Sequence, residues 1–89
     1  MLLTAQIRAA RAMLGWTALD LAQNSGVAVS TLRRIEVQAG VPVCHPRTLS
    51  DLKRTFEAAG IEFIGTPENG PGVRLNLKSP TTPRRPNFL

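Results

Sequence analysis

The chain has 89 residues, 43% of them hydrophobic, enough for one small core and too apolar overall for a disordered segment. No apolar run approaches the roughly 18 residues of a membrane span, and the opening MLLTAQIRAARAMLG sets Arg8 and Arg11 inside a helical period, so neither a membrane segment nor a secretory leader is expected. The net charge of +5 favours an anionic partner, while the single cysteine, Cys44, excludes an intrachain disulfide and suits a reducing, cytoplasmic setting.

Taken in chain order, the first helix is expected over Thr4–Leu14, with Thr4 as its N-cap and Ile7, Ala10, Met13 and Leu14 at helical spacing. Gly15 ends it. A second helix opens at Thr17, where Thr17 and Asp20 form a capping box, and runs to about Asn24 with Leu21 and Ala22 inward. A third covers residues 29–37, with Leu32 and Ile35 inward. Residues 39–47, AGVPVCHPR, read as a loop. The fourth helix is expected from Thr48, boxed by Asp51, through Leu49, Leu52, Phe56 and Ala59 to Gly60. The period then changes. Residues 61–64 and 73–77 alternate as strands about a turn-rich GTPENGPG, which predicts a hairpin. The last stretch, KSPTTPRRPNFL, is proline-rich and basic, so residues 78–89 read as a flexible tail. Lys78, Arg84 and Arg85 there carry three of the five net positive charges.

The second and third helices satisfy the steric demands of a helix-turn-helix. Ala22 supplies the small side chain where the helices cross. Gly26 supplies the residue with positive φ four positions later. Val27 pins the turn into the core, and Leu32 and Ile35 face inward three apart.

That segment, within Gln6 to Glu36, resembles the helix-turn-helix of the Xre regulators, the lambda repressor-like, Cro-type family. TLSDLKRTFEAAGIEFI and GPGVRLNL are similar to the fourth helix and C-terminal hairpin of the short bacterial members. The resemblance implies a mainly α, four-helix lambda repressor-like domain over residues 1–60, followed by a β-hairpin over 61–77. It also implies dimeric binding to double-stranded operator DNA and control of transcription. Carried over by position, the base-reading face falls on Val29, Ser30, Thr31, Arg33 and Arg34. Arg34 would reach guanine or a phosphate, Arg33 the backbone, and Val29 a thymine methyl. Thr17 is placed to donate to phosphate beside the free N–H groups of its helix. Ala18 and Ala28 stand where relatives carry a glutamine and a hydroxyl cap, which removes polar contacts from that face.

Blander roles account for the other candidates. Trp16 is expected to plug the core. Cys44 and His45 are too few for a zinc site, and as neighbours in a loop they do not face each other as a catalytic pair. Asp20 and Asp51 are spent on caps. GTPENGPG lacks the lysine and following helix of a phosphate loop. No enzyme, metal or cofactor is expected. The leading expectation is a sequence-specific DNA-binding regulator, a repressor, acting as a homodimer on a palindromic operator. The hairpin would join the two copies, since Phe63, Val73, Leu75 and Leu77 give it an apolar side and its strand edge is open. The tail could add contacts through Arg84 and Arg85. The alternative is a protein-interaction module, an antitoxin or antiactivator, for which Ala18, Ala28, Val29 and an exposed Leu19 would serve a protein partner.

Overall fold

The computed structural model describes residues 2–76. The expected tail, with Lys78, Arg84 and Arg85, and the last hairpin residue, Leu77, lie outside the described residues. Four helices are followed by one antiparallel hairpin: α1 Thr4–Leu14, α2 Ala18–Ser25, α3 Val29–Glu36, α4 Pro46–Ala58, β1 Ile61–Thr66 and β2 Asn69–Leu75. No helix among the described residues is long and apolar enough to cross a membrane.

The core draws at least one fully buried side chain from each helix: Ile7 from α1, Leu21 from α2, Leu32 and Ile35 from α3, and Leu52 and Phe56 from α4. Trp16 is buried as expected and stacks on Phe56, with ring centroids 5.9 Å apart. Each large buried side chain contributes about 1.5–3 kcal/mol relative to exposure, so these few residues dominate the stability of so short a chain.

Two caps differ from expectation. Thr4 does not cap α1. It is the first helical residue and is buried, with its N–H donating to Gly40 O at 2.8 Å and its hydroxyl to Ile35 O at 3.4 Å. The cap residue is Leu3, whose N–H donates to Gln6 Oε1 at 2.9 Å. Helix α4 starts two residues ahead of Thr48, because Pro46 fits the first helical position, where no N–H is needed and its fixed φ is already helical. His45 is the N-cap, its Nδ1 accepting from the Arg47 N–H at 3.1 Å. Asp51 therefore lies inside the helix and pairs with Arg54 at 2.5 Å instead of capping.

The hairpin is longer than the alternation suggests. Only Pro67 and Glu68 form the turn, and most of GTPENGPG is strand. The ladder pairs Ile61 with Leu75, Phe63 with Val73 and Thr66 with Asn69, with an irregularity between Ile64 and Thr66. There Gly70 and Pro71 oppose Gly65 alone, a bulge that excuses Pro71 from the ladder. Gly65 has φ +75°, and a Cβ on it would lie 2.1 Å from Gly70 O, so only glycine fits.

The apolar side of the hairpin is partly covered among the described residues. Phe63, Val73 and Leu75 pack on the core, and Phe63 meets Phe56 edge-on at 5.9 Å. Gln6 Nε2 secures the sheet to α1 by donating to Gly72 O at 3.0 Å and Ile64 O at 3.4 Å.

Candidate nucleic-acid interface

Thr17 caps α2 as the sequence suggests: its hydroxyl oxygen accepts from Asp20 N–H at 3.1 Å, and Asp20 Oδ2 accepts from Thr17 N–H at 2.8 Å. The bond uses an acceptor lone pair of the hydroxyl and leaves its O–H as a donor on an exposed residue. Gly26 ends α2 with φ +78°, and its N–H donates to Ala22 O at 2.9 Å, the αL stop. Val27 is half-buried against the core, so the chain re-enters the interior before α3 begins. Ala28 caps α3 with no side-chain hydrogen bond.

Helix α3 is therefore held by its apolar face. Successive residues turn by about 100° around the axis, which sets Leu32 and Ile35 on one side and Ser30, Arg33 and Arg34 on the other. Burial follows that division: Leu32 and Ile35 are fully buried, while Ser30, Arg33 and Arg34 are exposed. Val29 and Thr31 are half-buried and lie on opposite flanks, so they do not share an edge. The two arginines straddle the outward direction, Arg33 toward the Val29 flank and Arg34 toward the Thr31 flank. Thus the fold brings Ser30, Arg33 and Arg34 together on one open surface, with Val29 and Thr31 at its borders and Thr17 on the neighbouring helix.

One acid lies in α3, and it is engaged. Glu36 faces α1, where Arg11 donates through Nε at 2.9 Å and Nη2 at 2.8 Å to its two carboxylate oxygens. Arg11 Nη1 also donates to Trp16 O at 2.9 Å. The outward face of α3 is left cationic. Arg11 was not legible as a site residue, because its partner is 25 positions away. The available signal was weak: Arg11 follows Ile7 by one turn on the inward side of α1, and Glu36 adjoins Ile35.

The helix-turn-helix family model matches residues 7–39, from the first turn of α1 through α2 and α3. Residues 7–39 are a helix-turn-helix of the Xre, lambda repressor-like type. Helix-turn-helix modules of this type bind DNA and are typically non-enzymatic. No curated protein and no solved structure matches the chain significantly. In the helix-turn-helix, α3 occupies the position of the second, recognition helix. Cys44 and His45 stand apart from it, half-buried in the following loop and capping α4 respectively. No group of three or more potential metal ligands occurs among the described residues.

Proposed function

We propose that the protein is a sequence-specific transcriptional regulator, a repressor that occupies a palindromic operator as a homodimer. The observation that carries this reading is the outward face of α3: Ser30, Arg33 and Arg34 are exposed together, and Arg11 has drawn the helix's only acid aside. The N-terminal end of α3, with Val29 and Ser30, enters the major groove first. Arg34 reads guanine or holds phosphate, Arg33 holds phosphate, Val29 and Thr31 line the edges, and Thr17 donates to the backbone. Binding then blocks access to a promoter.

The two copies pair through the hairpin. What supports this is the open edge of a two-stranded sheet, whose unpaired N–H and C=O groups invite another strand. Edge-to-edge pairing would also cover more of the half-buried Phe63, Val73 and Leu75. Sedimentation of the full chain tests it: a dimer at concentrations that bind DNA is expected, and a monomer that binds tightly and without cooperativity would place the two-fold elsewhere or remove it.

The DNA reading is tested by titrating affinity against salt. Log affinity should fall with log salt by about 0.9 for each phosphate neutralised, with a clear preference for a selected duplex over a scrambled one. Flat salt dependence and no preference would favour the second reading, a protein-interaction module. That reading rests on Leu19, 54% exposed on α2, and on the apolar Ala18, Ala28 and Val29, which are half-buried or exposed.

A further inference from the structure

Helix α3 has only two turns and no side-chain cap at its start, so beside its buried face the fastenings of its C-terminal end contribute to its orientation. Gln38 lies two residues beyond that end and uses both ends of its amide. Oε1 accepts from Val43 N–H at 2.8 Å, and Nε2 lies 3.3 Å from Val43 O and 3.4 Å from Arg34 O. The amide thus pairs with both main-chain groups of Val43, as a neighbouring strand would, and closes residues 38–43 against the last turn of α3. Thr4 of α1 fastens the tip of this loop through its N–H to Gly40 O, and the last turn of α3 through its hydroxyl to Ile35 O. Apolar packing holds the loop at the buried Pro42 and half-buried Val41, whereas Val37 and Val43, on either side of the clasp, are 83% and 84% exposed and rely on it.

We infer that Gln38 is a positioning residue for sequence discrimination, holding the last turn of α3, and hence Arg34, in register without touching DNA. This rests on the DNA reading above. The carbonyl of Arg34 is among the last four of its helix, which lack a partner further along the same helix, and Gln38 donates to it. The final turn keeps its Arg11–Glu36 pair, its Thr4 bond and buried Ile35. Without the Gln38 donor, however, the main chain at Arg34 loses its own fastening, and the side chain loses part of its fixed aim. Bidentate contact to a base edge depends on aim, whereas attraction between a guanidinium and the phosphate field depends mainly on charge. Loss of the clasp should therefore erode discrimination and spare non-specific affinity.

The test uses the full chain and two probes, a duplex enriched by the wild-type protein from a randomised pool and a scrambled duplex of equal length. Gln38→Met keeps the volume and loses the amide; Gln38→Glu keeps an acceptor for the Val43 N–H. For Gln38→Met the ratio of affinities for the two duplexes should fall about tenfold, with scrambled-duplex affinity and salt slope unchanged. Amide exchange at Val43 should accelerate at an unaltered thermal midpoint. Gln38→Glu also loses both donations and sets a carboxylate beside Arg34 O and Val43 O, so it should lower both affinities and retain no more of the ratio than Gln38→Met. A wild-type ratio in Gln38→Met or in Gln38→Glu overturns the inference and leaves the DNA reading intact. A wild-type protein that enriches no sequence overturns both.

Discussion

Arg11 holds both carboxylate oxygens of Glu36 while donating to the main chain at Trp16, so one guanidinium ties the end of α1, the α1–α2 connection and the end of α3. The pair is largely shielded, with side-chain exposures of 24% and 12%. Removing one partner leaves the other charge poorly solvated and unpaired. Arg11→Ala or Glu36→Ala should each cost about 2–4 kcal/mol in denaturant-monitored stability. A double-mutant cycle should show coupling of about 1–3 kcal/mol. Additive single effects would mean that the contact contributes nothing to folding.

At Gly26 the penalty for substitution comes from the backbone alone. Its φ is +78°, and a Cβ there would meet nothing within 4 Å. Gly26→Val should destabilise the domain by more than about 1 kcal/mol, whereas Gly26→Asn should cost less because asparagine tolerates the left-handed region. Thermal unfolding of the two variants checks the order; equal midpoints would refute the backbone origin.

Gly65 offers the contrasting case, where space as well as φ excludes a side chain. With Gly70 O 2.1 Å from an added Cβ, Gly65→Ala must open the bulge. It should cost about 2–4 kcal/mol and accelerate amide exchange in β1 and β2 ahead of the helices. Unchanged protection of the hairpin amides would show that the strands reregister at no cost.

On the outward face of α3, Arg34→Ala should weaken binding to the selected duplex by about 1–3 kcal/mol and relax preference at one base pair. Arg33→Ala should weaken all duplexes alike and lower the salt slope by about one phosphate. Both variants should keep the wild-type thermal midpoint, because both side chains are exposed. If the two exchange behaviours, the base contact belongs to Arg33.

Helix periods, the Thr17–Asp20 box, the Gly26 turn and the inward pair Leu32 and Ile35 were all legible along the chain, since each depends on residues within about one or two turns of each other. The start of α4 was missed although its signal is local: Pro46 was read as a loop former, while its fixed φ and missing N–H suit a first helical turn. The hairpin's extent was missed because Gly65 and Gly70, which read as turn residues, instead permit a bulge inside a continuing ladder.

Long-range partnerships lay beyond that kind of reading. Thr4 has the composition of a cap and is used instead to fasten Gly40 and Ile35. Gln6 holds a strand 66 residues away, and Arg11 an acid 25 away. Local pattern settles which face of a helix is apolar, because burying that face is worth more than any single polar contact. Which polar group meets which depends on how the buried faces close on one another, and that closure alone turns Glu36 toward Arg11 and leaves Ser30, Arg33 and Arg34 facing solvent.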